Sequence, residues 1–191
     1  MKLAKNLGKC VIALVAVALI FGTVPAKAAN LELFQKGVEM MIKSNDMLRE
    51  AVKTVEGGQA MYVQICTDKG CLPEVTKGNQ VITDAMQEAK KGMALLDQGQ
   101  QEYKVCVADR RLEGMYRCLD TFVEGGRMVQ DSLRKMESGV KANNDALRAK
   151  NLDAFVEAPT KTILKGTESG LTAMKLFLDG QKIALENRPK K

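Results

Sequence analysis

The residues of this 191-residue chain best suited to chemistry are five cysteines and eleven methionines, set against a complete absence of histidine and tryptophan. Four cysteines lie in the body of the chain, at Cys66, Cys71, Cys106 and Cys118. Cys66 and Cys71 flank Thr67-Asp68-Lys69-Gly70, a turn-like tetrapeptide, with Pro73 placed to open a helix after it. A C-x4-C spacing is not the C-x-x-C of redox enzymes, so a structural disulfide is expected here. Four exported cysteines allow three pairings. If one straight helix joins Cys71 to Cys106 they stand about 50 Å apart, whereas a disulfide needs Cα atoms within about 7 Å. Local pairs are therefore expected: Cys66 with Cys71, and Cys106 with Cys118, which stand symmetrically about Leu112.

Ten methionines follow Met1, from Met40 to Met174. Thioethers and thiolates suit Cu(I), but such a site needs methionines converging on one point, and no dense Met-x-x-Met cluster occurs. Gap filling in helical cores is the expected role. Without histidine there is no Ser-His-Asp or Cys-His pair, no histidine-ligated zinc and no proximal haem ligand. No Gly-x-x-x-x-Gly-Lys-Ser/Thr loop is present to cradle nucleotide phosphates. Neither catalytic residues, nor a resident cofactor, nor a metal site is expected, and the chain is read as a non-enzyme.

The elements that carry these residues are helical. Positions 31, 34, 38, 41, 45, 48, 52 and 55 read Leu, Phe, Val, Met, Asn, Leu, Val, Val, a three-four alternation that holds one stripe against a partner. Asn45, its one polar member, is read as a tolerated boundary position rather than a register key. Gly57-Gly58 weakens this helix, and the phase is ambiguous from there to Cys66. A second stripe runs from Val75 to Cys106, with Gly78, Ala85, Gly92 and Gly99 recurring every seven residues. Each internal glycine costs about 1 kcal/mol of helix propensity. Because the phase runs unbroken through them, close approach to a neighbouring helix is expected rather than a turn.

A third stripe, Leu112, Met115, Leu119, Phe122, Gly126, Val129, Leu133, Met136 and Val140, is out of step with the second. A reversal is therefore expected at Asp109-Arg110-Arg111. A short helical turn is expected over 152–157, then a last helix from Pro159 with two adjacent stripes. One contains Ile163, Gly166, Gly170, Ala173, Phe177, Gly180 and Ala184; the other contains Leu164, Leu171, Met174, Leu178 and Leu185. The expected fold is all-α: an elongated antiparallel, up-down four-helix bundle of coiled-coil character, its hairpins stapled by disulfides, with rods about 50 Å long.

Lys2, Lys5 and Lys9, the apolar run Cys10 to Val24, and Ala26-Lys27-Ala28 have the layout of a cleaved secretory signal peptide over 1–28, leaving a single domain over 29–191. No cysteine follows the apolar run closely enough to accept a lipid. The leader holds four lysines and no acidic residue, so its loss lowers the formal charge from +6 to +2. The basic pI is then a property of the leader, and nucleic-acid binding is not expected. Arg188-Pro189-Lys190-Lys191 is read as a solvated tail. No later apolar run reaches the ~20 residues that cross a bilayer. These features lead to an expected exported protein of a bacterial periplasm or exterior, acting on a protein partner of the envelope as an adaptor, assembly or secretion accessory, inhibitor or chaperone. The alternative is a periplasmic carrier of Cu(I) or a small apolar ligand, its cargo held between methionine-rich, glycine-lined helices.

Overall fold

The computed structural model describes residues 30–152 and 156–188. The leader lies outside the described residues, as do residues 153–155 of the expected helical turn over 152–157. Four helices follow in order: α1 Leu31–Lys69, α2 Pro73–Ala108, α3 Leu112–Ala149 and α4 Glu157–Glu186. They form an up-down antiparallel bundle, and no strand occurs among the described residues. No described helix is long and apolar enough to cross a membrane. At 1.5 Å per residue the 39 residues of α1 make a rod of about 58 Å.

Asn30 caps α1, its side-chain oxygen accepting from the Leu33 N–H at 3.2 Å. Gly57-Gly58 does not end this helix: Gly57 faces open space, while Gly58 seats the Pro159 carbonyl of α4. Proline opens α2 at its first position, where the missing N–H costs nothing. The reversal expected at Asp109-Arg110-Arg111 is present. Arg110 takes a left-handed conformation (φ 55°), with Arg111 N–H donating to the Cys106 carbonyl and Arg110 N–H to that of Val107. This is the double bond of a Schellman stop, with arginine where glycine is favoured. The end of α3 repeats it, with Asn151 at φ 54° and Leu152 N–H bonded to the Leu147 carbonyl.

The four helices are not equally spaced. α2 packs far more closely on α3, and α1 on α4, than α1 does on α2 or α3 on α4. The close seams are made by small residues in reciprocal positions. A Cβ built at Gly37 would lie 2.5 Å from the Gly180 carbonyl, and one at Gly180 2.6 Å from the Gly37 carbonyl. Gly92 and Gly125 stand in the same relation at 2.9 and 2.7 Å, and Gly78 and Gly139 at 3.0 and 2.9 Å. Close approach at Gly92 and Gly99 is therefore as expected. The same seven-residue repeat extends to α1 (Gly37, Ser44, Ala51, Gly58) and α3 (Cys118, Gly125, Ser132, Gly139). Buried Ser44 and Ser132 turn their hydroxyls onto their own helices, at the Met41 and Met128 carbonyls. Glycine here brings backbones together, so the seams it lines enclose no channel.

Large side chains fill the space between the two close pairs. Phe34, Met41, Leu48 and Val55 of α1 meet Ile82 and Leu96 of α2 and Leu119, Phe122, Leu133 and Met136 of α3 in one cluster with Ile163 and Phe177 of α4. All ten stripe positions of α2 are buried. On α4 the first stripe is buried, but the second reaches solvent at Leu178 and Leu185, because α4 has one close neighbour and not two.

Candidate interaction surface

Asn45 is not a boundary residue. It is buried, and its Nδ2 donates at 2.8 Å to Asp97 of α2, which is also paired with Arg49. This bond spans the wider α1–α2 interface and fixes the level at which the two close pairs meet. The register role passed over in the sequence is the one the structure supports.

A polar layer crosses the core near the α1–α2 turn. The Tyr62 hydroxyl of α1 is hydrogen-bonded to Thr160 of α4. Asn143 of α3 donates at 2.7 Å to the Asn79 side chain of α2. Gln59 of α1 donates to the Asn79 carbonyl and the Thr83 hydroxyl, each at 3.1 Å. All four helices are thus tied at one level. Burial raises the Tyr62 hydroxyl pKa, and its contacts with Thr160 and Asn143 oppose the shift. The layer escaped the sequence because its members occur singly and its partners lie up to 98 residues apart.

Cys66 and Cys71 form the expected disulfide, closing the α1–α2 turn. The second expected pair is corrected: Cys106 and Cys118 are free, buried thiols. Symmetry about Leu112 was the wrong criterion, because the turn centres on Arg110 and the close seam sets its own register. Cys106 sits against Gly114, where a Cβ would overlap its sulfur, while the backbone of Cys118 faces Gly99. The Cys118 thiol donates to the Met115 carbonyl of its own helix at 2.9 Å. Burial first, then Cys106, Glu102 and Asp120, push its pKa up to about 12. It is held as a thiol, a poor state for a nucleophile or a soft-metal ligand.

The buried methionines do not converge. Met115 lies near the α2–α3 turn, Met41 and Met174 about 15 Å or more along the rod, and Met86 and Met136 further still. Among the described residues no cluster of three or more cysteine or carboxylate side chains is arranged to hold a metal ion. An apolar cavity of 170 Å³ lies beside the disulfide, walled by Ile65, Leu72, Val75 and Leu147. Small-molecule pockets run from about 300 to 1,000 Å³, so this one is undersized for a carrier's cargo.

The opposite end is different in kind. Antiparallel packing brings together the start of α1, the end of α2, the start of α3 and the end of α4. There Leu31 is 39% exposed, Val105 58%, Leu112 47% and Leu185 45%. Beside Val105 and Leu112 opens an 860 Å³ groove whose wall also includes Glu102, Cys106, Arg111 and Arg117. Phe34 meets Tyr116 edge-on beneath, at 5.0 Å between ring centres. In comparison with known proteins, no family model, curated protein or solved structure matches the chain.

Proposed function

We propose that this chain is an exported, non-enzymatic helical-bundle protein of the bacterial envelope, acting through protein–protein contacts, with the α2–α3 turn end as its contact surface. The observation that carries this reading is the gathering of Leu31, Val105, Leu112 and Leu185, each 39% or more exposed, at one end of the rod. Apolar side chains gathered at a chain's extremity add little to its own core and are available to a partner. The leader layout and the Cys66–Cys71 disulfide favour an oxidising, exported setting.

The test is affinity capture from envelope extract of the native host, comparing the natural chain with a Val105→Ser, Leu112→Ser double variant of unchanged helicity. The reading expects a discrete protein captured in stoichiometric amount by the natural chain and lost from the variant. Equal capture by both, or a natural chain carrying a stoichiometric small ligand and no protein, overturns it.

A further inference from the structure

The two close seams are built alike, but their outer edges are not. A Cβ at Gly92 would stand 3.0 Å from the Met128 Cβ, and one at Gly125 3.0 Å from that of Leu95, so Met128 and Leu95 border the α2–α3 seam. One heptad from each, polar bonds bridge that edge. Lys135 pairs with Glu88 at 2.5 Å, and Thr121 donates to Glu102 at 3.2 Å.

The α1–α4 edge is apolar instead. It starts from Met40, whose Cβ would lie 2.8 Å from a Cβ at Gly180. Heptad steps along α1 from Met40 reach Leu33, Met47, Thr54 and Met61; Leu33 and Met47 are each 39% exposed and Met61 45%. On α4, Phe177 and Ala184 take the core side, so Leu176 and Ile183 next to them take the outer side, half-buried. Thr162 and Ser169 continue that line, and no charged residue stands on either line.

Charge lies at the two margins and is sorted by sign. Lys36 and Lys43 border the α1 line, and Asp179 and Glu186 border the α4 line, all four exposed. With Met40 level with Gly180 and the helices antiparallel, Lys36 stands within one turn of the level of Glu186, and Lys43 of Asp179. The apolar face separates each lysine from the carboxylate at its level. None of the four is in an ion pair among the described residues.

We propose that this face binds a second copy of the chain, about a two-fold axis parallel to the rods. That operation lays each α1 on the α4 of the other copy. Lys36 and Lys43 then meet the carboxylates of Glu186 and Asp179 across the interface on both sides. A two-fold axis across the rods would set α1 on α1 and leave the lysines and these carboxylates apart. From Leu33 to Met61 the stripe is about 42 Å long, and two close-packed helices present a face about 20 Å wide. Such a face covers about 800 Å² on each copy, the size of a specific interface. Methionine, flexible and polarizable, lets the two identical stripes repack against each other. The pairing sets both α2–α3 turn ends at one end of the dimer, and it does not depend on the function proposed for them.

The test is sedimentation equilibrium on the full chain with its disulfide intact. The expected result is a concentration-dependent monomer–dimer equilibrium. Met47→Lys should weaken it about ten-fold or more, and so should Lys36→Glu with Lys43→Glu, which sets like charges opposite each other. Adding Asp179→Lys and Glu186→Lys to the second variant restores opposite charges and should restore association. A monomer at millimolar concentration overturns the proposal. So does a dimer lost in Val105→Ser, Leu112→Ser but kept in Met47→Lys, which would place the contact at the apolar end. Failure of the four-charge exchange to restore association, with helicity unchanged, contradicts the two-fold axis along the rods.

Discussion

The two ends of the rod are built from the same four helices but finished differently. At the disulfide end, Cys66–Cys71 closes the turn and a polar layer from Gln59 to Thr160 ties each of the four helices to at least one other. At the other end the turn is closed by backbone bonds around Arg110 and an Asp109–Arg111 ion pair, two thiols remain unlinked, and leucine and valine side chains face water. Directional bonds specify position, whereas apolar side chains without cover specify only that something apolar should meet them. The contrast sets an end tied by directional bonds against the end proposed above as the contact surface.

Glycine seams near the two ends offer the strongest test of this contrast. At Gly37 an added methyl meets backbone first, the Gly180 carbonyl at 2.5 Å and the Ala184 nitrogen at 2.6 Å. At Gly78 it meets the Asn143 amide first, which can rotate at the cost of its bond to Asn79. Gly37→Ala should therefore destabilise by about 2–3 kcal/mol despite alanine's better helix propensity, and Gly78→Ala by about 1 kcal/mol. Urea titration followed by circular dichroism measures both. Equal costs would mean that Asn143 is held as firmly as backbone.

Alkaline titration separates the ends next. Burial, then Glu39 and Cys118, push the Tyr103 hydroxyl up to about 12, close to the value for Cys118. Both groups stay protonated in the fold while the unfolded chain releases their protons from about pH 9 (thiol) and 10 (phenol). Their contribution is complete below those values and is lost as pH rises toward 12. The melting temperature should fall over that window, and Cys118→Ala and Tyr103→Phe should each flatten the fall. Tyr62→Phe should change it less, because the Thr160 and Asn143 contacts offset part of the burial of Tyr62.

The smallest contrast lies in the two Schellman stops. Arg110→Gly relieves a left-handed arginine and should raise stability by about 1 kcal/mol, while Asn151→Gly should gain roughly half that or less, since asparagine tolerates the conformation. Paired thermal melts check the ranking, and a gain at Asn151 as large as at Arg110 would contradict it.

Much of this architecture is legible in the residues themselves. The buried stripes of α1, α2 and α3 follow the expected heptad positions, and Gly92 and Gly99 are close-contact residues because the phase passes through them unbroken. Serine and alanine disguise the same repeat on α1, since Ser44 and Ala51 are ordinary helix residues until Gly37 and Gly58 complete the series. Gly57-Gly58 looks like a break, yet one glycine faces open space and the other seats α4. Pairing Cys106 with Cys118 failed because symmetry about a residue does not give the register of a seam. The role of Asn45 depends on Asp97, 52 residues away, and no local pattern announces such a partner.

The central claim, that contact is made through the α2–α3 turn end, is tested most directly by a photoreactive amino acid placed singly at Leu112 and at Val81. Both side chains are exposed, at 47% and 41%, but Val81 lies on the flank of α2 toward the disulfide end. Irradiation in intact host cells should give a discrete protein adduct from position 112 and none from position 81. The same adduct from both positions, or none from 112 beside a discrete one from 81, would contradict the account.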